Sequence, residues 1–135
     1  NKASSPEQKF TAFLEENREY IDWWYKNGDA GKQHYAISYT NVDGDKALFY
    51  VDFVIRMKNG QIFLFDTKSE DSDKNAPCKH NALIDYIHNE ENADKHLKGG
   101  VIIQSGENWK YCPMKIENTT DITGWDSFYP DEYKV

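Results

Sequence analysis

Cysteine is scarce in this chain: Cys78 and Cys112 are the only two. Two thiols cannot build a disulfide framework, so an intracellular, cytoplasmic setting is expected. Long apolar runs are missing as well. Nothing approaches the roughly 20 residues that cross a bilayer. No charged-then-apolar leader opens the chain, so neither a membrane partner nor a signal peptide is expected. There are no repeats and no low-complexity tracts. Basic charge is in deficit: 16 lysines and arginines face 23 acids, a net charge of −7. That argues against a domain that grips nucleic acid through a broad basic face. It leaves room for an enzyme that acts on nucleic acid through a local site and metal ions.

What is present suits a packed fold. Of the 135 residues, 39% are hydrophobic and 15% aromatic, enough for one core in a single domain spanning 1–135. The opening "NKASSPEQ" reads as a boundary, and a domain within a larger protein is expected. Ser5 suits an N-cap, Pro6 the first helical position and Gln8 the third. Phe10, Phe13, Leu14, Ile21 and Trp24 recur at helical spacing, which predicts one helix ended by the glycines of "KNGDAGK".

Strands are expected over 34–40, 47–57 and 61–69, with "VDGDK" and "KNG" as turns. A polar loop (70–77) then leads to a second helix over 78–98, with Leu83, Ile87 and Leu97 inward and Gly99-Gly100 as its stop. "VIIQS" (101–105) reads as a short buried strand and "NWKYCPM" (108–114) as an edge strand. Trp125, Phe128 and Tyr129 suggest a tail that packs down. This order predicts an α/β fold, an α/β/α sandwich around a central mixed sheet.

The stretch "YVDFVIRMKNGQIFLFDTKS" (50–69) carries the chemistry. It is mostly apolar, yet Asp52, Asp66 and Lys68 lie within it, and charges in a buried sheet are costly unless paired or bound to metal. Side chains alternate along a strand, so Asp66 and Lys68 share a face with Ile62 and Leu64, while Phe63, Phe65 and Thr67 take the other. Asn59 is equidistant in sequence from residues 52 and 66, so a hairpin closed there sets Asp52 beside Asp66. Two adjacent carboxylates repel. A divalent cation relieves that repulsion, and hard oxygen ligands suit Mg²⁺. The plain alternative is a structural ion pair among the same three residues.

Asp52, then Asp66-Thr67-Lys68 across a hairpin, followed by a helix and an apolar strand, resembles the PD-(D/E)xK nuclease superfamily. The closer resemblance is to the C-terminal endonuclease domain of type III restriction enzymes, with "WWYKN" and "KHNALIDYI" falling where that family has comparable segments. The likeness runs from about Pro6 to Ser105 and departs at Val51, where the family has proline. Acid-x-Lys also occurs at Glu7-Lys9 and Glu132-Lys134, but neither ends an apolar strand or faces a second acid. The resemblance implies a restriction-endonuclease-like fold and a Mg²⁺-dependent endonuclease that hydrolyses DNA phosphodiesters, with Mn²⁺ able to substitute. It implies metal held by Asp52, Asp66 and the Thr67 carbonyl, and Lys68 acting on water or on developing charge. It also implies a helicase motor in the same polypeptide and a methyltransferase subunit as partners.

The same resemblance brings in a glutamate on the first helix that completes the metal cluster. Glu7 lies on the stripe of Phe10 and Leu14 and fits better than Glu16, although an acid is also favoured there by the helix dipole alone. Lys79 and His80 fall where the family places groups directed at the scissile phosphate, with solvated surface as the alternative. His80, His88 and His96 are spaced by eight and drift around a helix, and with only Cys78 nearby a zinc site is discounted. Trp23, Trp24 and Tyr25 read mostly as core and rim, and nothing in the sequence supports base stacking by Trp23. Two rival functions stand beside this one: a junction resolvase or repair nuclease of the same superfamily, and a non-catalytic docking or DNA-binding module.

Overall fold

The structure is a computed structural model describing residues 5–27, 35–67, 74–118 and 121–134. Its centre is a six-stranded mixed sheet. The strands in chain order are β1 (Ile21–Lys26), β2 (Ala36–Thr40), β3 (Lys46–Tyr50), β4 (Phe53–Met57), β5 (Ile62–Thr67), β6 (Leu97–Ser105), β7 (Asn108–Tyr111) and β8 (Asp126–Ser127). Across the sheet the order is β1-β4-β5-β6-β7-β8, while β2 and β3 form a separate two-stranded ribbon. Among the described strands only β5 and β6 run parallel, and they are joined through helix α2 (Ala76–His88) as a parallel pair requires.

Alternation along β4 and β5 divides the core in two. Phe53, Ile55, Phe63 and Phe65 face Phe10 and Leu14 of helix α1 (Ser5–Glu16). Val54 and Leu64 face the other way, against Leu83 and Ile87 of α2 and against Ile37 and Phe49 of the ribbon. The protein is therefore mixed α/β, with a helix on each face of a central mixed sheet. The first face is rich in aromatic contacts: Phe10 meets Phe53 edge-on with centroids 5.0 Å apart and Trp109 at 4.9 Å.

Several boundaries depart from the sequence expectation. The first helix ends at Glu16, where the Asn17 side chain donates to Phe13 O at 2.8 Å and its backbone N–H donates to Leu14 O. Ile21 and Trp24 lie instead on β1, an edge strand of the sheet. Their spacing fits a helix, but "IDWWY" is rich in aromatic and β-branched residues that pack well on a pleated surface. The expected strand over 47–57 is two strands: β3 pairs with β2, β4 with β5 and β1, and the chain turns a corner at Val51-Asp52. The second helix stops at His88, and a short 3-10 turn over Glu90–Lys95 leads into β6 at Leu97.

Gly99 and Gly100 are therefore not a helix stop but part of β6. A Cβ on Gly99 would sit 1.9 Å from Leu64 O, and one on Gly100 2.3 Å from Cys112 O and 2.9 Å from the His80 ring. Both have positive φ, 147° and 139°. These positions need glycine for close approach and for backbone conformation together. The strand expected at 108–114 ends at Tyr111 and is not an edge, because β8 pairs beyond it. In the tail Trp125 and Phe128 are buried as expected, while Tyr129 is exposed.

Candidate active site at the end of the β4–β5 hairpin

The hairpin closes as its turn residues require: Gly60 N–H donates to Met57 O at 2.9 Å and Met57 N–H to Gln61 O at 2.8 Å. From that turn the register runs Arg56↔Ile62, Ile55↔Phe63, Val54↔Leu64 and Phe53↔Phe65. The next step outward sets Asp52 beside Asp66. Asp52 N–H donates to Asp66 Oδ1 at 3.2 Å. One oxygen of Asp52, Oδ2, accepts two hydrogen bonds from Thr67: from its N–H at 2.9 Å and its hydroxyl at 2.8 Å. All three residues are half-buried.

Electrostatics follow from this geometry. Desolvation raises the Asp52 carboxyl above the usual carboxylate range, with Glu7's charge adding to it and the Thr67 hydrogen bonds opposing it. Asp66 is raised well above that range, first by desolvation and then by the Asp52 charge. Both carboxyls are thus harder to ionise than free aspartates, Asp66 more so than Asp52, whose Oδ2 takes two donors from Thr67.

Of the other expected site residues, Glu7 stands in the first turn of α1 and pairs with Lys26 at 3.0 Å. It is near enough to raise Asp52. Lys79, in the first turns of α2, lowers Asp66 by its charge and lies 5.9 Å from the centroid of the Tyr39 ring. Lys68 lies outside the described residues. Thr67 has a part that the sequence did not reveal, as the donor that holds Asp52.

His80 does not face a substrate. It is 2% exposed. Its Nδ1 accepts from Val101 N–H at 3.1 Å, which makes Nε2 the protonated nitrogen, and Nε2 donates to Met114 O at 2.7 Å. Both ring nitrogens are occupied by backbone and burial lowers its pKa, so His80 is a neutral core residue. Asn81 beside it exchanges two 2.8 Å hydrogen bonds with Ile116. Together the two residues fasten the 112–118 segment to α2. Trp23 is 40% exposed and stacks on Tyr25 with centroids 5.7 Å apart.

Two residues that sequence reasoning passed over complete the surroundings. Lys26 ends β1 on the side of Glu7. Asn27 follows it, donating from its backbone to Asp52 O at 2.9 Å and from its side chain to Val51 O. The signal was the "KN" of "WWYKN", which reads as the end of a helix until β1 is recognised as a strand.

The donor set is two adjacent carboxyl groups, joined through Asp52 N–H to Asp66 Oδ1, and hard oxygen ligands of this kind fit Mg²⁺ or Mn²⁺ with water completing the shell. Among the described residues no three histidine, cysteine or acidic side chains form a cage that could hold a metal by themselves. No family model, no curated protein and no solved structure matches this chain.

Proposed function

We propose that this chain is a metal-dependent endonuclease domain of the PD-(D/E)xK type with a restriction-endonuclease-like fold. It would hydrolyse DNA phosphodiesters as part of a type III-like restriction enzyme. The observation that carries this reading is Asp52 set beside Asp66 at the open end of a central hairpin. The order helix, hairpin, helix and parallel strand around that pair supports it.

Asp52 and Asp66 would hold Mg²⁺ or Mn²⁺ with the Thr67 carbonyl. The ion would supply charge neutralisation at the phosphate and a bound water of lowered pKa. Thr67 N–H and hydroxyl hold the Asp52 carboxylate in place for that task. Glu7, paired with Lys26, adds its charge to the field at Asp52. Lys79 would meet the phosphate from the α2 side. Lys68, two residues past Asp66, would orient the attacking water or stabilise developing charge. A helicase motor and a methyltransferase partner would supply translocation and sequence recognition, which the domain's net charge of −7 does not favour by itself.

The test is plasmid cleavage by the full-length parent protein in Mg²⁺ and in Mn²⁺. Lys68→Ala is expected to lower cleavage by about 10²-fold or more while metal binding persists, and Asp66→Ala to remove both. Undiminished cleavage by both variants overturns the assignment. Loss of folding in both, without metal binding by the native chain, favours the docking module. Preference for branched DNA by a dimer favours the resolvase.

A further inference from the structure

We infer that Asn27 is a positioning residue for Asp52, so that the end of β1 forms a wall of the site. The inference rests on the nuclease reading for its catalytic consequence, but not for its structural one.

The chain leaves the β2–β3 ribbon and enters the central sheet through Val51 and Asp52, which lie between β3 and β4. A two-residue corner has no ladder of its own to fix its peptide planes. Val51 is fully buried and anchors one side of the corner. The carbonyls of both corner residues are held by Asn27: its N–H donates to Asp52 O at 2.9 Å and its side-chain amide donates to Val51 O. The corner peptide planes are thus held from β1, and Asp52's own N–H is left directed at Asp66 Oδ1. The Asp52 carboxylate then meets both donors of Thr67. Asn27 therefore acts on the acid pair through the backbone of Asp52.

The side chain's contribution is a hydrogen-bond donor, and this separates positioning from space-filling. Asparagine and aspartate have nearly the same shape, but the carboxylate cannot donate to Val51 O and would repel it. Space-filling predicts that Asn27→Asp is mild and Asn27→Ala worse. Donation predicts that Asn27→Asp is at least as damaging as Asn27→Ala.

Amide hydrogen exchange at Thr67 reads this directly, because its N–H is held by Asp52 Oδ2. In both variants Thr67 should exchange about tenfold faster or more, with Phe63 and Phe65 of the same strand unchanged as a check on folding. In the full-length protein both should lower kcat about 10-fold to 100-fold with KM nearly constant. Where Asn27→Ala does not fold, Asn27→Ser, which keeps a shorter donor, serves in its place and should lie between the native chain and Asn27→Asp. Unchanged exchange at Thr67, or an Asn27→Asp protein that behaves as native, overturns the inference. Faster exchange at Thr67 together with a native chain that cuts no DNA upholds the positioning and overturns the nuclease reading alone.

Discussion

At the scale of the residue, the site is two aspartates that disfavour each other's charge. A carboxyl whose folded pKa is raised above its unfolded value of about 3.9 favours the fold at low pH, and that contribution is lost as pH rises through the raised folded value. Asp52 and Asp66 are both raised. The metal-free domain should therefore lose stability as pH rises from about 4 through the raised folded values. Asp66→Asn should remove most of that loss and stabilise the domain at pH 8 by about 1 kcal/mol or more. Thermal melts in chelator across pH check this, and an unchanged pH dependence in the variant would show that Asp66 is not the titrating group. His80 answers differently. His80→Ala strands Val101 N–H and Met114 O and leaves a cavity, at a cost of about 2–4 kcal/mol. Lys79→Ala should melt as the native chain does while weakening phosphate binding. Chemical denaturation of the two variants distinguishes the core histidine from the lysine proposed to meet phosphate. Asp52 and Asp66 were legible in the sequence because charges in apolar strands are conspicuous. His80 was not, because a histidine beside a lysine at a helix start looks the same whether it faces solvent or the core.

At the scale of the element, the β4–β5 hairpin was the most legible part. "KNG" sets the turn, the turn sets the register, and the register sets Asp52 beside Asp66. β1 was not legible, since Ile21 and Trp24 continue the stripe of Phe10 and Leu14 at helical spacing although Asn17 has already capped the helix. Nor was the corner at Val51-Asp52, because an apolar run does not record which sheet each half joins. Gly99 and Gly100 read as a helix stop because glycine marks both ends and close approaches; only the neighbouring Leu64 and Cys112 backbone reveals the second use. Gly99→Ala should thus cost about 3 kcal/mol or more, or prevent folding. Gly44→Ala, with φ 86° and nothing within 4 Å, should cost only about 1 kcal/mol. Urea denaturation of the pair measures this, and equal costs would mean that β5 and β6 do not approach closely at Gly99.

At the scale of the whole molecule, both helices and the ribbon bury the two faces of the sheet and leave the end of the β4–β5 hairpin half-exposed. Under the proposed nuclease reading, the net charge of −7 and a local two-carboxylate site would require other parts of a larger protein to bring DNA to the domain. Everything in that picture turns on whether the pair takes a divalent cation. Titration of Mn²⁺ into the metal-free chain, followed by paramagnetic broadening of backbone amide signals, measures it most directly. Weak binding at one site is expected, with broadening centred on Asp52, Asp66 and Thr67, and its loss in Asp66→Ala. Broadening centred elsewhere, or binding that survives Asp66→Ala unchanged, would contradict the metal site.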